Sequence, residues 1–306
     1  MHKSVLLNET IENLNIKDNL IYVDATLGYA GHSREVLKRI NKGFLFAFDQ
    51  DKEAIAYSEE ILGGLSSNFE IIYSNFKNIK NELSKRDIKG IDGIMFDLGV
   101  SSPQLDNGER GFSYHNNAKL DMRMNKEDEI SAYDIVNNYS EDKLTDIFYK
   151  YGEEKYARSI SKNIISNRKI KTIETTLELV EIIKQSVPAK YTRDSHPARK
   201  VFQAIRIEVN KEIEILEKSI IDAIELLNVG GRICIITFHS LEDRIVKNVF
   251  KKYSDIPEIV KGLPNIPEEY QPKIKLIKKI TPSREELDEN NRSRSATLRI
   301  AEKIRK

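Results

Sequence analysis

The sequence predicts an α/β fold: a mostly parallel sheet whose chain is interrupted by a helical insertion. Three observations carry that expectation. Short apolar runs alternate with amphipathic helical segments through the first part of the chain, the pattern of βαβ units. The β signal then fades between residues 115 and 205, and it resumes before the end of the 306-residue chain. A chain this long can bury a sizeable core, as one large domain or two smaller ones.

Taken in order, the first strands are LIYVDA (20–25), GFLFAFD (43–49), FEIIYS (69–74) and GIDGIMFDL (90–98). Each has strand length and is apolar for most of it, as suits a strand covered on both faces. SREVLKRI (33–40) and DKEAIAYSEEIL (51–62) lie between them as helices. Residues 131–186 read as several amphipathic helices with Ser, Asn and Thr at capping positions. Residues 202–227 form one long helix pattern, followed by the turn Gly230-Gly231 and the strand RICIITF (232–238). After the helix LEDRIVKNVFKKY, IKLIKKI (274–280) and SATLRIA (295–301) form a terminal strand pair. The expected organisation is a main domain of residues 1–114 and 206–306, split by a helical insertion over 115–205, with no internal repeat.

Composition excludes several classes. No apolar run approaches the roughly 20 residues needed to span a bilayer, and the opening MHKSVLLNETIENL is too polar for a secretory signal. The expectation is a cytoplasmic protein with no membrane partner. The single cysteine, Cys234, sits in the apolar run ICII and reads as core; alone it forms no internal disulfide and no Cys-rich zinc site. His2, His32, His115, His196 and His239 show no close ligand spacing, so no metal is expected. The formal charge of +1 hides an uneven distribution. Residues 121–154 carry 4 basic against 10 acidic residues, 155–206 carry 12 against 4, and 271–306 carry 11 against 5. Two basic segments suit a polyanion held along a path; solvated helix faces are the alternative.

Chemistry is concentrated where strands end. VDATLGYAGHS (23–33) follows the first strand with only Gly28 and Gly31, so it lacks the G-x-G-x-x-G of a dinucleotide cradle. Asp49 closes the next strand, placed to accept both hydroxyls of a ribose, while Asp51 beside it reads as a helix cap. Together these features favour a nucleoside-type ligand. The fourth strand ends at Asp97, and Ser101-Ser102-Pro103-Gln104 follows. A Ser-Ser-Pro turn alone is a common loop; beside the other features it resembles the short polar-Pro loop that methyltransferases of exocyclic amines carry at this position. An amine conjugated to a pyrimidine ring is a poor nucleophile, so acceptors must take its N–H bonds and aim its lone pair at the methyl donor.

At this point a resemblance can be named. VLLNETIENL, DATLGYAGHS, DGIMFDLGVSSPQLDNGERGFSY, LDMRM, YGEEKYARSI, HPARKVFQAIRIEVNKE, GGRICIITFHSLEDRIVK and NRSRSATLRIAEK cover nearly the whole chain. In these strings the chain resembles the RsmH family, also called MraW, S-adenosylmethionine-dependent enzymes that methylate N4 of a cytidine in the decoding region of small-subunit ribosomal RNA. The resemblance implies a class I, Rossmann-like methyltransferase fold with a seven-stranded, mostly parallel sheet and an inserted all-helical domain. It implies S-adenosylmethionine as cofactor, and small-subunit ribosomal RNA or an assembled small subunit as partner. A homodimer stays open.

Carried over residue by residue, the resemblance places Ala30, Gly31 and His32 on the donor, Asp49 on its ribose and Phe76 beside the adenine. Asp97 and Gln104 complete that pocket, and Asp97, Ser101, Ser102, Pro103 and His239 form the catalytic set. S-adenosylmethionine has no phosphate, which suits a loop without the third glycine. The family usually has Gly where this chain has Ala30; if the backbone there needs a positive φ, Ala costs about 1 kcal/mol. On the substrate side stand Ser240, Arg110 and Arg123, with salt bridges to Glu109 and Asp121 as the alternative for the two arginines. Lys162, Arg168, Lys169 and Lys171 in the basic segment are candidate RNA contacts, whereas Tyr156, Tyr191 and Phe202 read as packing residues. Three rival readings remain. A dinucleotide oxidoreductase lacks its glycine fingerprint, a zinc cytidine deaminase lacks its Pro-Cys-x-x-Cys ligands, and a non-catalytic RNA-binding factor would keep the fold without methyl transfer.

Overall fold

The computed structural model describes residues 4–191 and 196–306. Residues 192–195 of the basic segment, Arg193 among them, lie outside it. Seven strands form one sheet in the order β3-β2-β1-β4-β5-β7-β6. They are β1 (Ile21–Asp24), β2 (Phe44–Asp49), β3 (Phe69–Tyr73), β4 (Ile91–Asp97), β5 (Leu227–Thr237), β6 (Ile274–Ile280) and β7 (Thr297–Lys303). The pairs among β1 to β5 are parallel, and β7 runs antiparallel to both β5 and β6.

The near-continuous apolar runs follow from burial on both faces. Alternate residues serve opposite cores: Val23, Phe46, Phe48, Ile94, Phe96, Ile233 and Ile235 join one, while Tyr22, Leu45, Ala47, Met95, Cys234 and Ile236 join the other. Helices α1 (Leu7–Asn13), α2 (Gly31–Leu37) and α3 (Lys52–Gly63) supply Ile11, Val36, Leu37 and Leu62 to the second core, and α4 (Ile79–Ser84) supplies Ile79 and Leu83 to the first. Removing a ring such as the buried Phe96 would cost about 3–5 kcal/mol. Cys234 is fully buried and its thiol is pushed up to about 12 by that burial, which makes it inert.

The chain divides into two compact units, the first of residues 1–99 and 213–306, the second Val100–Glu212. The second unit is wider at both ends than the helical stretch legible in the sequence. Its core takes Val100, Leu105 and Phe112 from before residue 115 and Val209 from after 205. It contains α5 (Ser102–Asp106), α6 (Ala132–Asn138), α7 (Glu141–Lys150), α8 (Ala157–Arg168), α9 (Thr176–Gln185) and α10 (Ala198–Asn210). An isolated bridge between Lys119 and Thr175 is its one β pairing among the described residues.

The single helix expected over 202–227 is two helices. α10 stops at Asn210, Lys211 adopts φ 53° in the left-handed region, and α11 (Glu212–Leu226) follows. The Asn210 side chain accepts from the Met124 N–H and donates to the Met122 carbonyl. Those long-range bonds fix Asn210 in a way that helical periodicity cannot register. The strand expected from 232 starts earlier, at Leu227, and carries Gly230 at φ 88° inside it, with a register shift against β4.

Candidate active site

Asp24, Asp49 and Asp97 are the last residues of β1, β2 and β4, so three carboxylates stand along the carboxyl rim of the first unit. Parallel strands bring them together because each apolar run ends in an acid at the same edge. Asp24 is buried, accepting from the Ser33 hydroxyl at 2.7 Å and the Thr26 N–H at 3.1 Å. Asp49 accepts from the Gly28 N–H at 2.7 Å and the Asp51 N–H at 2.8 Å. Asp51 caps α3 through the Glu53 N–H, as its place in the sequence suggests.

The loop after β1 is held on several sides. The Leu27 N–H donates to the Phe48 carbonyl, the Ser58 hydroxyl donates to the Gly28 carbonyl, and the Thr26 hydroxyl accepts the Asp97 N–H at 2.6 Å. Gly28 and Ala30 both lie in the left-handed region, at φ 51° and φ 60°. Glycine takes that conformation freely, while alanine is strained in it by about 1 kcal/mol. Ala30 thus occupies the one backbone geometry in which its methyl is a liability.

Electrostatically the rim is unbalanced. Burial pushes Asp24 and Asp49 up to about 6 each. Asp97 is pushed up to about 8, by burial first and then by the charges of Asp24 and Glu242. His32 sits 3.8 Å from Asp97 through Nδ1, yet burial lowers it to about 4, so at neutral pH it is uncharged and offsets nothing. Among the described residues no Lys or Arg pairs with any of the three acids. The Asp97 side chain is 30 % exposed, but among the described residues nothing bonds to its buried Oδ1 or to the buried Nε2 of His32. Orphaned buried polar atoms beside uncompensated acids are costly unless a ligand supplies donors and positive charge. Phe76, half-buried after β3, packs edge-on against Phe96 with ring centroids 5.7 Å apart. The sequence reading gave Asp24 no role, although it ends its strand as Asp49 and Asp97 do.

His239 follows β5 on the same rim, where it serves the fold. It caps α12 (Ser240–Ser254), its Nδ1 accepting the Glu242 N–H at 3.4 Å, while Glu242 Oε2 accepts the Phe238 and His239 N–H groups. Its Nε2 lies 3.1 Å from Glu242 Oε1. The ring thus caps the helix through Nδ1, while among the described residues its buried Nε2 has no hydrogen-bond partner. Ser240 is exposed at the first residue of that helix.

In the second unit the Ser101–Gln104 turn is locked. Ser101 caps α5, its hydroxyl accepting the Gln104 N–H at 3.4 Å, and Gln104 Oε1 accepts the Ser101 N–H at 3.0 Å. Pro103 fits the first helical turn, where a missing N–H costs nothing. Gln104 therefore braces the turn. Ser102 is buried to 8 % exposure, and among the described residues nothing bonds to its hydroxyl.

Several expected RNA contacts are structural. Arg110 is 4 % exposed and donates to the Arg123 and Met124 carbonyls, so its charge is not offered to a phosphate. Arg123 forms a two-pronged pair with Asp121 and also donates to the Asp128 carbonyl. Arg168 donates to the Val136 carbonyl, whereas Lys171, 72 % exposed, pairs with Glu178 only at the surface. Lys162 and Lys169 are exposed, with no ion pair among the described residues. Tyr156 and Tyr191 pack on each other, Tyr191 donates to the buried Glu154, and Phe202 is core, so none of the three offers a free stacking face.

Comparison with known proteins agrees across the whole chain. Residues 1–304 match the MraW methylase family. The ribosomal RNA small subunit methyltransferase H of Exiguobacterium sibiricum is 52% identical over 307 residues, covering 99% of this chain and 98% of the relative. Its namesake from Lactobacillus delbrueckii subsp. bulgaricus is 51% identical over 311 residues, covering 99% of each. The structure of an rRNA methylase from Streptococcus thermophilus covers 100% of this chain and 99% of its own at 13% identity, with a TM-score of 0.44.

Proposed function

The chain belongs to the MraW methylase family, and we propose that it transfers a methyl group from S-adenosylmethionine to N4 of a cytidine in the decoding region of small-subunit ribosomal RNA. The observation that supports this most is the rim of Asp24, Asp49 and Asp97, which has no paired cation among the described residues and leaves Asp97 Oδ1 and His32 Nε2 without partners among them. The donor fits that rim because it brings a sulfonium and an ammonium to acids that have no cation, and it needs no phosphate cradle. When bound, it supplies an electrophilic methyl on a positively charged sulfur.

The residues divide the work as follows. Asp49, already bonded to the backbone of the donor loop, retains lone pairs for the ribose hydroxyls. Phe76, seated on Phe96, offers an apolar surface to the adenine. Gly31 and His32 hold the amino-acid end, and Asp97 balances the cationic centre. The Ser102 hydroxyl, with the carbonyls of the Ser101–Pro103 turn, accepts N–H bonds of the target amine and aims its lone pair at the methyl. The S–CH3 bond breaks as the N–CH3 bond forms, S-adenosylhomocysteine leaves with the sulfur electron pair, and the proton lost from the now cationic nitrogen passes to water. A paired cytidine hides that amine, so the base must be unpaired or flipped out. A ribosomal RNA substrate suits a cytoplasmic protein.

Mapping N4-methylcytidine in small-subunit ribosomal RNA by mass spectrometry, with and without the gene, tests the reading. The modification should vanish from one decoding-region cytidine and return when purified enzyme and S-adenosylmethionine are added to the unmodified subunit or its RNA. An unchanged pattern of methylated cytidines would overturn it.

A further inference from the structure

The donor loop has a neighbour that no strand supplies. Gly31 faces Ser4: a Cβ built on Gly31 would fall 1.8 Å from the Ser4 hydroxyl oxygen and 3.1 Å from its Cβ. Val5, the next residue, is the one backbone influence that opposes burial on the His32 imidazole. Residues 4–6 therefore lie along the start of α2 as a strap, touching both residues assigned to the amino-acid end of the donor. The strap is bent: Leu6 is fully buried and holds φ 50°, a left-handed conformation that costs a leucine on the order of 1 kcal/mol. Such a conformation persists only when its surroundings enforce it.

What enforces it comes from the far end of the chain. The Leu6 N–H donates to Glu286 Oε1 at 2.8 Å, across 280 positions of sequence, and the Ser293 hydroxyl donates to the same oxygen at 2.7 Å. Glu286 lies in a short helix, α13 (Arg284–Glu289), is 9 % exposed, and is itself held by the Ser283 cap. It is thus an acid carried deep into the structure to meet a backbone N–H and a hydroxyl, with no Lys or Arg paired to it among the described residues. A carboxylate is an expensive way to satisfy two neutral donors unless their placement matters.

We propose that Glu286 is a positioning residue for methyl-donor binding: it pins the Ser4–Leu6 strap against Gly31 and His32 and so sets the shape of the donor loop from the C-terminal end of the chain. The inference rests on the rim of the first unit being the donor site.

Steady-state kinetics and donor binding on Glu286→Ala and Glu286→Gln test it. Glu286→Ala removes the acceptor and should raise the donor KM and Kd about tenfold, with kcat at saturating donor and the KM for RNA unchanged. Glu286→Gln keeps an acceptor oxygen in place and should bind donor within about twofold of the parent. A role in general stability alone would lower melting temperature without splitting the two KM values. Should Glu286→Ala fail to fold, Ser4→Leu drives bulk against Gly31 and should weaken donor binding alone by a similar factor. Parental donor affinity in Glu286→Ala, or in Ser4→Leu where Glu286→Ala does not fold, or Glu286→Gln as impaired as Glu286→Ala, would overturn the proposal. A parent enzyme that fails to bind S-adenosylmethionine would instead sink the assignment of the donor site.

Discussion

The rim of the first unit and the basic helices of the second handle charge in opposite ways. Asp24, Asp49 and Asp97 are drawn into a poorly solvated place and, among the described residues, given no cation. Arg110, Arg123 and Arg168, which looked in the sequence like a surface for RNA, are each committed to a carbonyl or a carboxylate. Charge density alone is thus a poor guide to a binding site. A charge that the fold has already satisfied builds structure, and a charge left unsatisfied in a buried place reports a ligand.

The harshest way to break this contrast is Asp97→Ala. Removing the carboxyl should slow methyl transfer by about 10³-fold, roughly 4 kcal/mol of transition-state stabilisation. The free enzyme should lose no stability, because Asp97 Oδ1 has no partner to lose. Its folded-state pKa lies above the unfolded one, at about 8. The native state then holds a proton that the unfolded chain has released, so stability from this group is present at low pH and is lost as pH rises from the ordinary carboxylate range through about 8. Thermal melts between pH 5 and 9 should show that decline in the parent and a shallower one in Asp97→Asn. Single-turnover assays check the rate.

Ser102→Ala comes next. Ser102 is a buried residue whose hydroxyl is uncommitted among the described residues, so its loss should slow transfer on the order of 10²-fold while S-adenosylmethionine binds as before. A parental rate would leave the turn carbonyls as the acceptors. On the basic side, the comparison sharpens by pairing unlike cations. Lys162→Glu with Lys169→Glu should reduce the slope of log K for RNA against log salt by about 1 for each phosphate no longer neutralised, at unchanged stability. Arg110→Ala should instead cost about 1–3 kcal/mol of stability by leaving two carbonyls unbonded. Salt titrations and chemical denaturation separate the two outcomes.

Ala30→Gly has the smallest effect. The left-handed φ favours glycine, whereas the buried methyl favours alanine, so donor affinity should improve by no more than about fivefold, near 1 kcal/mol. Calorimetry resolves such a change.

The parts legible in the sequence were those set by local pattern. Apolar runs ending in Asp49 and Asp97, the cap at Asp51 and the terminal strand pair all follow from period and chain order. What stayed hidden depends on distant partners. The break at Lys211 comes with Asn210 bonding to Met122 and Met124, and the commitment of Arg110 depends on carbonyls 13 and 14 positions away. The left-handed Ala30 has no signature beyond the glycine common at that place in the family. His239 was ambiguous for a related reason, since H-S-L-E reads equally as a capping box or as a catalytic histidine beside an acid.

The central claim, that the rim awaits a cation, is tested most directly by counting protons on donor binding. Titration calorimetry in buffers of differing ionisation enthalpy near pH 7 gives that count. A sulfonium beside Asp97 favours its ionised form, so S-adenosylmethionine should release close to one proton, and its affinity should rise between pH 6 and 8. S-adenosylhomocysteine, which lacks that charge, should release markedly fewer, and Asp97→Asn should abolish the difference. Equal proton counts for the two ligands in the parent enzyme, or a difference that survives in Asp97→Asn, would contradict the account.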